Sequence, residues 1–267
     1  TFMKDDLKYR ISNACILRLW ISVCFLFIPA LSGYSDSSLN AVPSYMIKVT
    51  YELPLTSNLL SSIRIKPRLV NSPPKGQIYH AVYPGHEGGT GEEDDITLED
   101  LSSYEKAVGK SAAWVYFSHN WYHGRNFPIE TASWIRDGGS VPFIRLMLRD
   151  SDKQYKKNRK FTLKRILKGK FDENLRSWAS DARDFGSPLI AEFGAEVNGE
   201  WFPWNGKWNG GGKKKGYGDP TYPNGPERFR DAYRHIINIM REEGASNITW
   251  VFHVNNDDFP NKSWNRF

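Results

Sequence analysis

Cysteine is nearly absent. The 267 residues include two, Cys15 and Cys24, and both lie in one apolar stretch near the N-terminus. Without that stretch the chain has no thiol, which excludes a disulfide framework, a thiol nucleophile and a cysteine-rich metal site. Metal-site spacing is missing too: His80, His86, His119, His123, His235 and His253 fall into no H-E-x-x-H or related pattern. No G-x-G-x-x-G or Walker loop follows any strand-like run, so a nucleotide-cradling site has no support. No metal or cofactor is expected. No apolar run is long enough to span a bilayer comfortably.

Charge is present but uneven. The net charge of +6 comes largely from DKQYKKNRKFTLKRILKGK (152–170) and GGGKKKG (210–216). Such runs read as solvated helix faces or loops. Nucleic-acid binding would want aromatics interleaved with the cations in a recognisable motif, and neither occurs. Lys4, Lys8, Arg10 and Arg18 lead and flank the apolar LWISVCFLFIPAL (19–31), followed by small residues around Ala30 and Ser32. Residues 1–32 therefore read as a signal peptide, with an uncleaved anchor as the alternative. The expectation is a secreted protein with no stable membrane insertion after cleavage. Residues 33–76 read as a linker or N-terminal appendage, ended by the breaker NSPPKG.

From Gln77 the chain alternates. Strand-like runs QIYHAVYPG (77–85), AAWVYFSHN (112–120), SVPFIRLMLRD (140–150), SPLIAEFGAE (187–196) and NITWVFHVN (247–255) alternate with helical stretches at 97–110, 129–139, 161–186 and 226–244. Regular alternation implies parallel βαβ units. The expected fold is α/β, a partial (β/α)8 TIM barrel with about five of eight units, spanning 77–267. Polar and aromatic residues gather at the C-terminal ends of the strands, where a barrel carries its site. They are His119, Asn120 and Trp121; Arg149 and Asp150; Glu196 and Asn198; His253 and Asn255.

Strand alternation puts Glu192, Gly194 and Glu196 on one face. Glu196 then opens an aromatic, glycine-rich loop, VNGEWFPWNGKWNGGG (197–212), whose Trp201, Trp204 and Trp208 suit stacking on pyranose rings. Burial among aromatics favours a protonated carboxyl, as a general acid needs.

Three segments are similar to glycoside hydrolase family 26, which holds β-mannanases and some β-glucanases and β-xylanases. They are ILKGKFDENLRSWASDARDFGSPLI (166–190), EVNGEWFPW (196–204) and FRDAYRHIINIMREEGASNITWVFHVN (229–255). The resemblance implies a (β/α)8 barrel and a retaining double displacement, with Glu196 as general acid/base. It implies Trp201 at a sugar subsite, and Asn198 and Gly199 in the turn that holds the loop. Trp204, His119, Trp121 and His253 complete the candidate substrate-binding set. Two positions depart from the family pattern: Ala195 stands where His is common, and Glu192 where Arg is common. A buried unpaired carboxylate is too costly to persist, so Arg145 or Arg149 is expected to pair with Glu192.

The family nucleophile is a Glu at the end of a seventh strand, so it is expected beyond residue 267, with the 267-residue chain inactive alone. Glu87, Glu92, Glu93, Asp94, Asp95, Asp257 and Asp258 read as solvated loop residues. The leading function is a secreted endo-acting retaining glycoside hydrolase cleaving a β-1,4-linked polysaccharide such as mannan. The alternative is a non-catalytic carbohydrate-binding barrel. Polysaccharide or oligosaccharide is the expected partner in both. A basic surface-binding module rests on the Lys/Arg runs alone.

Overall fold

The structure is a computed structural model that describes residues 69–85, 89–256 and 262–266. The expected signal peptide, most of the linker, both cysteines, His86, Glu87, Asp257 and Asp258 lie outside the described residues.

Five parallel strands form one sheet in the order β1-β2-β3-β4-β5. They are β1 (Ala81–Val82), β2 (Trp114–Asn120), β3 (Val141–Met147), β4 (Leu189–Phe193) and β5 (Ile248–Val251). The strand order never reverses, as it would at the switch point of a doubly wound sheet. Sequential parallel strands with helical crossovers are the arrangement of consecutive units in a β/α barrel, as expected. β1 ends just before Pro84, which cannot donate to a ladder.

The crossover helices are α1 (Leu98–Val108), α2 (Ile129–Asp137), α3 (Leu163–Ile166), α4 (Asp172–Phe185) and α5 (Asn224–Glu242). Thr97 and Asp100 form a reciprocal capping box on α1, and Gly109 closes it at φ 69°. The helix expected over 161–186 is instead two. Gly169, at φ 70°, breaks it, and Phe171 drops its ring against Phe161 and Trp121. The expected stripe of α4 is buried: Leu175, Trp178, Ala182 and Phe185. Pro226 sits in the first turn of α5, where its missing N–H has no intrahelical partner to lose. Phe229, Ala232, Ile236, Ile239 and Met240 bury the inner face of that helix. Each large apolar side chain so buried contributes about 2 kcal/mol.

β4 ends at Phe193, three residues before the expected end. Gly194 turns the chain at φ 77° and Glu196 follows at φ 50°. Among the described residues no helix is long and apolar enough to cross a membrane.

Candidate active site

Three side chains form a row across the sheet. Ser118 on β2 is the register partner of Arg145 on β3, and Arg145 is the partner of Glu192 on β4. Because alternate residues face the same way, Tyr116, Phe143 and Met147 share this face. Together with Glu196, Phe202, His253 and the loop after β1 they line a cavity of about 350 Å³.

Glu192 is 1% exposed and Arg145 7%. Arg145 Nε donates to Glu192 Oε1 at 2.7 Å, so the expected pairing is found, and with Arg145. Burial works against the Arg145 charge, but Glu93 and Glu192 outweigh it and raise the pKa of the guanidinium. Arg149, just past the end of β3, lines the same cavity but takes other partners. Its Nη2 meets Glu92 and its Nε donates to Asn120 Oδ1 at 2.9 Å.

Glu92 and Glu93 correct the expectation of a solvated acidic loop. Glu93 joins the sheet edge, its carbonyl accepting from Ser118 N at 2.7 Å, and its carboxylate meets Arg145 Nη1. Tyr122 donates to Glu92 Oε2 at 2.7 Å. Asp94 accepts from Asn120 Nδ2 at 2.9 Å. The buried guanidiniums need counter-charges, and this loop supplies two of them. The signal lay in alternation: Arg145 on β3 and Arg149 just beyond its end share one face, across from one inward carboxylate on β4.

Glu196 reaches the cavity by a route that parity does not describe. The strand has already ended, and the left-handed backbone at Glu196 aims its carboxyl inward. Oε2 accepts from Trp201 Nε1 at 2.8 Å and Oε1 from Asn255 Nδ2 at 2.8 Å. Asn198 holds Asn255 in turn. Asn198 Nδ2 donates to the Asn255 carbonyl at 3.0 Å, and Asn255 N donates to Asn198 Oδ1 at 2.7 Å. That exchange occupies the Asn198 amide, so Asn198 positions the site where sugar contact was expected. His253 Nδ1 lies 3.0 Å from Glu192 Oε2. This bond raises the His253 pKa against the opposing effect of burial.

Three expected substrate-binding residues are elsewhere. Trp121 is 2% exposed and packs edge-on against Phe161 and Phe171. Trp204 is buried against Phe193 and Phe202, with Nε1 donating to the Ala195 carbonyl at 2.8 Å. His119 occupies the opposite face of β2 from Ser118, and burial lowers its pKa to about 4. These are core residues. Tyr116 was missed: it stands inside the cavity with its ring beneath Arg145. Burial, then Glu93, raise the pKa of its phenol, so it stays an O–H donor.

No protein-family model matches the chain. Endoglucanase H of Acetivibrio thermocellus is 34% identical over 96 residues, which are 36% of this chain and 9% of that protein. Among solved structures, a mannanase of Bacillus subtilis aligns with TM-score 0.44 and 18% identity, over 62% of this chain and 55% of that one. A β-mannanase from a symbiotic protist of the termite Reticulitermes speratus, complexed with gluco-manno-oligosaccharide, aligns with TM-score 0.44 and 14% identity, over 66% and 56%. The GH26 domain of a Prevotella bryantii endo-β-mannanase/endo-β-glucanase aligns with TM-score 0.40 and 14% identity, over 57% and 53%. The chain spans about half the length of each of these solved chains.

Proposed function

We propose that this chain forms part of a retaining β-glycanase in which Glu196 is the general acid/base. One observation carries the reading. Of the four carboxylates lining the cavity, Glu92, Glu93 and Glu192 are each paired with an arginine. Glu196 instead has two neutral donors, Trp201 and Asn255. A carboxyl without a cationic partner takes up and releases a proton without breaking an ion pair, as an acid/base residue must. Trp201 and Asn255 fix the plane of the carboxyl group, and that orientation is worth much of the catalytic advantage.

The proton would pass from Glu196 to the leaving glycosidic oxygen and return from water in the second step. Retention would require a second carboxylate about 5–5.5 Å away to attack the anomeric carbon. The substrate class is a β-linked polysaccharide, in keeping with the endoglucanase and β-mannanase likenesses, and secretion fits the basic and apolar N-terminal residues. A polypeptide that carries these residues together with the expected second carboxylate is tested by following product anomers on mannan, mixed-linkage glucan and xylan. β-Configured first products on one of them support the reading. No release on any, with oligosaccharide binding intact, favours the carbohydrate-binding alternative.

A further inference from the structure

Among the described residues, the Arg145–Glu192–His253 chain ends in an atom with no protein partner. Glu192 presents one oxygen to Arg145 Nε at 2.7 Å and the other to His253 Nδ1 at 3.0 Å. A carboxylate only accepts, so Nδ1 of His253 carries the hydrogen. That fixes the tautomer, and it leaves Nε2 on the far side of the ring, which lines the cavity beside Glu196. Among the described residues Nε2 makes no hydrogen bond.

We propose that Glu192 is a positioning residue that presents His253 as an imidazolium, whose Nε2–H donates to a hydroxyl of a neutral β-linked oligosaccharide bound next to Glu196. This rests on the glycanase reading for its ligand. The relevant charges are Arg145 on β3, Glu192 on β4 and Glu196 in the loop after β4; Glu93, from the loop after β1, pairs with Arg145 from its other side. Two carboxylates against one guanidinium favour the protonated ring. Tyr116 on β2 adds no charge, since its phenol stays protonated. The arrangement also answers the two departures from the family pattern. A cation and an imidazole are absent at 192 and 195, and Arg145 on β3 and His253, just after β5, bring both in.

If the imidazolium binds more tightly, affinity is full below the His253 midpoint and falls as pH rises through it. By reciprocity, bound oligosaccharide raises that midpoint. The test is a ¹⁵N NMR titration of His253 in the 267-residue chain, free and with saturating cellotetraose or mannotetraose. The expected results are a neutral form with the proton on Nδ1, and a midpoint raised by about one unit on binding, which equals tenfold tighter binding by the imidazolium. In Glu192→Gln the free midpoint should drop and the ligand-induced rise should vanish, whereas a purely architectural Glu192 would leave both in place. Should Glu192→Gln not fold, the wild-type titration decides. Oligosaccharide binding with an unmoved midpoint, or a neutral ring protonated on Nε2, overturns the proposal and leaves the glycanase reading standing. A wild-type chain that binds neither tetrasaccharide defeats the glycanase reading, and the proposal with it.

Discussion

Arg145 and Glu192 are register partners on adjacent strands, and their side chains meet at 2.7 Å with both almost wholly buried. Arg145 also serves Glu93. Replacing Arg145 with Met would leave Glu93 and the fully buried Glu192 without that cation. Breaking a buried pair from one side costs about 3–5 kcal/mol. Urea denaturation should therefore show Arg145→Met destabilised by that amount. A loss below about 1 kcal/mol would mean that the two carboxylates simply protonate or find water.

For Glu196 the expectation is kinetic. Glu196→Ala should lower hydrolysis of substrates with poor leaving groups by on the order of 100-fold or more, while sparing those with good leaving groups. Trp201→Phe keeps the ring and removes only the N–H that binds Oε2. It should cost about tenfold, the worth of one hydrogen bond to a charged group. Rates on both substrate types that match wild type in Glu196→Ala would remove the acid/base assignment.

The sheet, its order and the Glu192–Arg145 pair were legible because strands have period two and helices period 3.6, and buried charge demands a partner. Glu196 was legible only through its motif. Parity pointed the right way for the wrong reason, since the strand ends at Phe193. Trp121 and His119 were misread because an aromatic or imidazole at a strand end looks the same in sequence whether it faces the cavity or the helices, and Trp204 because a glycine-rich loop does not reveal which of its rings packs inward. Glu92 and Glu93 were misread because nothing local in GEEDD reveals that Arg145 and Arg149 lie across from it.

Gly194 allows the backbone turn that delivers Glu196. It sits at φ 77°, and a Cβ there would run into the ring of Phe229. An αL alanine costs roughly 1 kcal/mol, and overpacking a tight core adds about 1–3 kcal/mol. Gly194→Ala should destabilise the fold by the sum and disturb Glu196 with it. Paired with Phe229→Leu, which vacates the clash, the packing part should be recovered and the backbone part should persist. Thermal melts of the two single variants and the double variant separate the contributions. Additive losses would show that the ring of Phe229 is not what Gly194 accommodates.

His119 carries the clearest pH dependence. Burial lowers its pKa to about 4, from about 6.5 in the unfolded chain. Between those values the unfolded chain binds the proton and the folded chain does not, so stability is full above about pH 6.5 and is lost as pH falls toward 4. The contribution lost between pH 7 and pH 5 is about 2 kcal/mol. Most carboxylates remain ionised over that interval, while His253, whose pKa Glu192 raises, gains stability as pH falls and opposes the His119 loss. His119→Gln cannot take up a proton there, so its unfolding free energy should lack the His119 part of the change between the two pH values, about 2 kcal/mol relative to wild type, whatever its absolute value. Chemical denaturation at both pH values checks this directly: an equal pH slope in the variant and the wild type would assign the loss to other groups.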